Sequence, residues 1–480
     1  MKFLNTRIVK NGKKSIAKYL FMGMAMFSFA VLSSCSKDDK GPEDIPVIAD
    51  FSVENNSFVD LNGSVSFSPS ITNDIASTYS WTVNGKEVST DKDYTFTPSA
   101  YGSYEIKLSV TNALGKAEKS VTLRVAKYHG GFFIISEGAG GITGTVNYYD
   151  PAAKKVIEKV NEQEGNSTSN LGKVSQYGTI HNNTLYVTSK NEGIYLTAFN
   201  IFDMAVESRL DMSAYSNSAS PMEMGGYAFV PVDDNYAVFT TTQGAFQVSL
   251  NPLSVVKKLE HSGSTTQEAG YDWTNNTPIM VSVSGSGNAV VSDGNIFVSD
   301  AAEGILVYSA ADFSYKQTLN IKATGGMVKG NDGNIWVIDN SDLTKINPLT
   351  FASETVSLTG VSLSYSWDYK GWKAGQLTAS SKGNVLYMTE GGYSPVKVYR
   401  YEMGSTALPA EPLIEIPAGW YIYGCLAEDS ETGDIVVLCA PSDYSAKNRV
   451  MIFSAEGEIK KTIDYGDGTF YYSAMSIFYK

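Results

Sequence analysis

The sequence predicts an all-β protein: an immunoglobulin-like sandwich over residues 48–126, followed by a seven-bladed β-propeller over 130–480. Three observations predict it. The 480 residues include 43 Gly and 30 Tyr yet are only 18% charged, a composition suited to short strands and tight turns rather than helical bundles. Apolar and polar side chains alternate through much of 64–125, the period of a half-buried strand. Beyond residue 130 a turn–strand–turn–strand pattern recurs seven times, at a spacing of about 50 residues that suits one four-stranded unit each.

The chain opens on an address. Residues 1–34 carry Lys2, Arg7, Lys10, Lys13, Lys14 and Lys18 and no acid, and 19–32 is an apolar run. That run is shorter than the roughly 20 residues a membrane span needs, so 1–34 reads as an export signal. It ends in Leu32-Ser33-Ser34-Cys35. Small residues directly before a cysteine resemble the bacterial lipoprotein processing site, which implies cleavage there and lipidation of Cys35. The charged stretch Ser36-Lys37-Asp38-Asp39-Lys40 resembles the signal that carries Bacteroidetes lipoproteins to the outer face of the outer membrane. The implied location is the outer membrane, lipid-anchored and facing the extracellular side, with 35–47 as a flexible tether.

Removing the six basic residues of 1–34 leaves 31 basic against 50 acidic residues, a net −19 compared with −13 for the whole chain. With no basic stripe to neutralise phosphates, a nucleic-acid partner is excluded. Three cysteines make no disulfide framework.

In the sandwich, Ser64-Val65-Ser66-Phe67 and 79–83 alternate, and Asn84-Gly85 suits a tight hairpin. Tyr94-Thr95-Phe96, then 102–110 and 120–125, supply further strands, and short strands at this density make an immunoglobulin-like sandwich. The stretches YSWTVNG (79–85) and GSYEIKLSVTNALG (102–115) resemble the PKD-like domains of surface proteins. The resemblance is divergent, since Val83-Asn84-Gly85-Lys86 replaces the usual glycine-aspartate-glycine centre. Trp81 is expected in the core, and the domain is expected to space the following one from the membrane.

The seven recurrences centre on 131–136, 183–188, 235–240, 294–300, 333–339, 383–388 and 433–438, each with a partner strand and often an Asp-Pro or Asn-Pro turn. A four-stranded unit cannot bury both faces alone, so such units stack around an axis. The last segment, 471–479, lacks a following partner and fits as the innermost strand of the first unit, closing the ring and removing an open edge.

Segments that start innermost strands gather at one mouth of a propeller. Those aromatics, Tyr177, Tyr227, Trp367, Tyr369, Trp372, Trp420, Tyr421, Tyr423 and Tyr471, are the candidate ligand-binding residues, forming a shallow cup. Large rigid rings suit a flat or apolar ligand, although innermost strands also need big side chains for packing. Cys425 and Cys439 fall in one unit and either pair or stand as two buried thiols. The chain has three histidines and no HExxH, GxSxG, P-loop or CxxC motif, so no catalytic residue, metal ligand or cofactor is assigned and the expectation is a non-enzyme. If the cup were catalytic, Asp368, Glu390 and Glu428 would be the carboxylates to examine.

Finally, FFIISEGAGGITGTVNYYDP (132–151), NLGKVSQYGTIHNNTLYVTSKN (170–191) and YSAMSIFY (472–479) are similar to the YncE-like propeller lipoproteins of Bacteroidetes grouped as DUF5074. That resemblance implies a surface protein that binds a small nutrient, in some members cobalamin, for delivery to a TonB-dependent outer-membrane transporter. A glycan-binding or adhesive surface protein is the alternative, and a propeller glycosidase or lyase a more distant one.

Overall fold

The computed structural model describes residues 41–480 apart from 139–142, 163–170, 191–193, 216–224, 264, 273–276, 362, 364–376, 391–393, 467, 470 and 480. Cys35, Trp367, Asp368, Tyr369 and Trp372 lie outside the described residues.

The sandwich forms where alternation predicts it. Its larger sheet has the order Ser57–Phe58, Gly115–Val125, Gly102–Asn112, Thr78–Val83, Lys86–Ser89, and the pairs Val65–Phe67 with Tyr94–Phe96 and Val47–Ile48 with Ile71–Thr72 accompany it. Asn84 and Gly85 both adopt left-handed backbone, φ 50° and 78°, the turn that matches the twist of two flanking strands. The period of two sends Ile106, Leu108, Val110, Val121 and Leu123 inward onto Phe67 and Trp81. Trp81 is fully buried and its indole N–H donates to the Asp91 carbonyl at 3.1 Å, so it is a core residue, as expected.

Among the described residues of 131–479 there are seven antiparallel sheets of blade type. The second to sixth are simple meanders beginning at Tyr177–His181, Gly226–Pro231, Ser286–Ser292, Gly326–Lys329 and Leu377–Ala379. In the seventh, the innermost strand is divided into Trp420–Ile422 and Ala427–Glu428, both paired with Ile435–Pro441. The first is composite: Gly131–Ser136, Thr145–Asp150 and Lys155–Ile157 are completed by Ser473–Tyr479. Gly131 pairs with Tyr479 and Ser136 with Ser473, so the end of the chain supplies the inner strand that the first recurrence lacks.

Turn chemistry repeats with the sheets. Asp150 accepts hydrogen bonds from the Ala152 and Ala153 amides at 2.9 and 3.0 Å, and Asn347 does the same for Leu349 and Thr350 at 3.0 and 2.9 Å. These side chains imitate a backbone turn, which is why the Asx-Pro pairs punctuate the pattern. One element was not anticipated, a hairpin of Thr265–Asp272 with Thr277–Ser284 between the third and fourth sheets. The only signal was the longer interval between the Asn235 and Gly294 recurrences than between those at Gly294 and Gly333.

Both faces of these sheets are apolar, and stacking buries them. Phe133 and Ile135 pack with Leu185 and Val187 of the second sheet, while Phe132 and Ile134 pack with Leu438 and Val450 of the seventh. Shared clusters likewise join the second sheet to the third, and the third to the fourth. The series continues from fourth to fifth, fifth to sixth and sixth to seventh. The result is an all-β fold of repeated four-stranded sheets suggestive of propeller blades.

The sandwich is seated at one end of the sheets. Arg124 lies 4.0 Å over the Phe58 ring and 5.6 Å from that of Tyr479, Phe58 meets Tyr479 edge-on at 5.3 Å, and the Lys127 amide donates to Phe202. Tyr479 and Gly131 mark that end, and Ser136 and Ser473 mark the other. Hence the far end, where inner strands start and second strands finish, is left uncovered by the sandwich.

Candidate functional site

At that far end, polar residues repeatedly end or follow the second strands: Glu137, Thr242 and Glu390 directly after theirs, Lys190 one residue further on, and Asp300 and Asp339 as the last residue of theirs. Glu137 follows Gly131–Ser136 and is 9% exposed. Its amide donates to the Tyr472 carbonyl and its own carbonyl accepts from Val174, each at 3.1 Å. The carboxylate accepts from the Tyr423 hydroxyl at 2.7 Å and from the Gln176 amide nitrogen. One buried carboxylate therefore ties the first sheet, the approach to the second and the start of the seventh. A charged acceptor strengthens each of these bonds. Gln176 keeps its amide oxygen buried and without a hydrogen-bond partner, an acceptor that is costly to leave unmet.

Next around the end, Lys190 is buried, its amide shared between the Lys173 and Val174 carbonyls, and its ammonium stands 5.3 Å from the Tyr227 ring. Such a cation over a ring face gains from the ring quadrupole. Gly225 exchanges hydrogen bonds with Thr242, amide to hydroxyl at 2.9 Å and carbonyl from amide at 3.0 Å. Asp300 accepts from the Gly263 amide at 2.8 Å, the Ser286 hydroxyl at 3.1 Å and the Ala302 and Glu303 amides at 3.1 and 3.2 Å. Burial still pushes its carboxyl above the usual value, against the pull of those donors. Asp339 accepts from Thr324 at 2.6 Å.

The structure brings six of the expected aromatics to this end and assigns them unequal surroundings. Tyr423 is bound to Glu137 and packs against Tyr472 at 5.1 Å, and Tyr421 is buried beside it at 6.4 Å. Tyr227 is buried under Lys190. Half-buried Tyr177 starts the inner strand of the second sheet, its hydroxyl pushed up by burial and by nearby Cys425. Trp420 is half-buried, with the Arg449 guanidinium 4.0 Å over its ring and that guanidinium forked onto Asp464 at 2.6 and 2.7 Å. Tyr471 is buried between the seventh and first sheets, stacked on Tyr465 at 6.0 Å with its hydroxyl on Glu158.

The two described carboxylates considered for catalysis do not oppose one another. Glu390 follows a second strand, whereas Glu428 sits where Ile435 begins the next one, and it holds Ser380 and Ser381 at 2.6 to 2.9 Å. Cys425 and Cys439 are both buried and are not joined in a disulfide. Among the described residues, no group of three or more His, Cys, Asp and Glu side chains is arranged to hold a metal ion.

The polar members, Glu137, Gln176, Lys190 and Asp300, were passed over in favour of rings. For Glu137, Lys190 and Asp300 the signal was a polar residue at or just beyond the end of the same strand in successive recurrences, whereas Gln176 precedes an inner strand.

Repeated four-stranded antiparallel sheets with a polar and aromatic end define an all-β, propeller-like protein. Its residues 130–479 match the family model described as a domain of unknown function, DUF5074, and the chain belongs to that family. Residues 46–112 match a PKD-like domain. No curated protein matches. Among solved structures, it is similar to a quinonprotein alcohol dehydrogenase-like protein from Bacteroides thetaiotaomicron VPI-5482, with 18% identity and a TM-score of 0.51, covering 90% of this chain and 99% of that one. It is also similar to a protein of unknown function from Bacteroides caccae, with 11% identity and a TM-score of 0.37 over 62% of this chain and 99% of that one. At such identity the first likeness concerns fold alone.

Proposed function

We propose that the seven sheets are blades of a closed seven-bladed β-propeller serving as the capture domain of a lipoprotein anchored through Cys35 at the outer face of the outer membrane. It takes a small nutrient, cobalamin-like in the favoured reading, and passes it to a TonB-dependent transporter without catalysis or a cofactor. Ring closure is supported by the shared apolar clusters, which return from the seventh sheet to the first, and by the inner strand Ser473–Tyr479.

The observation that carries capture is the placement of the two ends. The sandwich, which continues toward Cys35, seats on Tyr479, while Glu137, Gln176, Lys190 and the tyrosines gather at the opposite end. A ligand site there points away from the anchor. Rings with a few placed polar groups suit a ligand with both an apolar face and amide or hydroxyl edges.

Calorimetry on a chain lacking residues 1–35, with cobalamin and a glycan panel, tests the reading. Micromolar or tighter cobalamin binding supports it. Absence of cobalamin binding at high micromolar protein overturns that ligand, and a glycan signal would favour the adhesive alternative.

A further inference from the structure

The sandwich has an end far from the sheets, and it is apolar where turns are ordinarily polar. Arg124 and Ser103 pair near the seat on Tyr479, while the same two strands meet at Asn112 and Gly115 at their other end. Gly102–Asn112 is 11 residues long, so this tip stands about 35 Å from the seat, at the strand rise of roughly 3.3 Å per residue. Leu114 at its apex is 54% exposed, and Ile75, Ile45 and Val47 are 52%, 44% and 54% exposed.

These side chains belong to one surface. Asn112 donates to the carbonyls of Asp44 at 2.8 Å and Asn73 at 3.1 Å, and accepts from the Leu114 and Gly115 amides at 2.8 and 3.1 Å. Asn73 in turn donates to the Ile45 carbonyl at 3.2 Å, and Ile45 packs directly over Gly115. A single buried asparagine thus holds two turns and the incoming chain together, with their apolar side chains outward. Scattered exposed aliphatics need no explanation. Val47 pairs with Thr72 beside Asn73, and Ile75 lies two residues beyond Asn73; four exposed aliphatics on these neighbouring segments make a patch, and patches mark a contact surface.

We propose that this tip, Ile45, Val47, Ile75 and Leu114, is a lipid-contacting surface that enters the interface of the bilayer to which the chain is anchored. The proposal rests on the anchoring of Cys35. Asp44 lies nine residue steps beyond Cys35, and a fully extended chain spans at most about 3.6 Å per residue, so the tip remains within about 32 Å of the anchor. An apolar contact beside a lipid anchor adds buried apolar area and orients the domain at the interface. The cations around the tip are already matched: Lys92 to Asp74 at 2.6 Å, Lys116 to Glu118 and Lys119 to Asp50. The contact is therefore with the apolar interface of zwitterionic as well as anionic lipid.

The full chain, carrying whatever anchor it has, is added to phosphatidylcholine vesicles with a nitroxide attached at Leu114→Cys or, as a control, at Leu349→Cys on the fifth sheet. The expected result is at least a tenfold preference of the Leu114 label for oxygen over an aqueous nickel relaxant, with the Leu349 label reversed. Ile75→Asp added to the label variant should abolish the preference, and replacing part of the phosphatidylcholine with phosphatidylglycerol should leave it unchanged. A water-exposed Leu114 label overturns the proposal. A label immobilised without oxygen access, or broadened by a second label, assigns the tip to a protein partner or a second copy and overturns it too. The mass of the mature N-terminal peptide reports Cys35 lipidation separately, so failure of the anchor and failure of the tip are told apart.

Discussion

The hydroxyl of Tyr423 lies 2.7 Å from the carboxylate of Glu137, 286 residues earlier in the chain. That bond crosses from the seventh sheet to the first, on the same seam that the chain terminus closes. It also sits beside the unpartnered amide oxygen of Gln176, so it shapes the uncovered end of the fold as well as joining it.

Tyr423→Phe keeps the ring and deletes the donor. A hydrogen bond to a charged group contributes about 1.5–3 kcal/mol, so the variant should lose that much, seen as a lower urea midpoint with an unchanged slope. Any ligand seated at this end should bind more weakly as well. A midpoint equal to that of the parent protein would show that the Glu137 carboxylate is held by its other contacts alone.

Removal of 469–480 should cost far more than a short tail. The first sheet would lose its inner strand, and the clusters on both of its faces would lose Ile477, Phe478 and Tyr479. The exposed Gly131–Ser136 edge would then invite pairing with other chains. The expected outcome is insoluble or aggregated protein. The milder Tyr479→Ala should remain folded and be destabilised by about 3–5 kcal/mol, the usual cost of truncating a buried aromatic. Thermal unfolding followed by circular dichroism reads both.

The fold was legible because its signals are local. Alternation located the long sandwich strands, paired left-handed turns such as Asn84-Gly85 marked a hairpin, and seven recurrences marked seven sheets. Even the pairing of Ser473–Tyr479 with Gly131–Ser136 followed from counting strands and finding one unit short. The site was less legible because an aromatic at an inner strand has two uses that leave the same residue in the sequence. Tyr471 and Tyr421 are buried between sheets, and Trp420 is covered on one face by Arg449, which no local pattern connects to it. Glu137 gains its contacts from Gln176 and Tyr423, partners brought in by the packing of sheets rather than by sequence spacing.

The thiols offer a separate check. Cys439 is buried and its thiol is pushed up to about 12, leaving a thiolate fraction on the order of 10⁻⁴ at pH 8, where the thiolate is the reactive form. Cys425 is also buried and outside any disulfide. In a chain lacking residues 1–35, Ellman's reagent should therefore find no fast-reacting thiol in the native protein and two after unfolding in guanidinium without reductant. Finding none after unfolding would mean a disulfide.

Asp300 provides a pH signature whose sign is set by burial. Its folded-state carboxyl titrates above the usual value, while in the unfolded chain it titrates near about 3.9. Between those two values the folded protein retains a proton that the unfolded chain has released, so this group's contribution falls as pH rises through the window and is level above it. Asp300→Asn removes the titration but also weakens acceptance from Gly263, Ser286, Ala302 and Glu303, and should lower stability at every pH. The stability advantage of the parent protein over the variant should thus be largest near pH 4 and shrink toward pH 7. Urea denaturation of the two proteins at intervals across that range measures the difference directly, cancelling most of the other titrations. An advantage that grows with pH would mean that the four donors outweigh burial and hold the Asp300 carboxylate ionised.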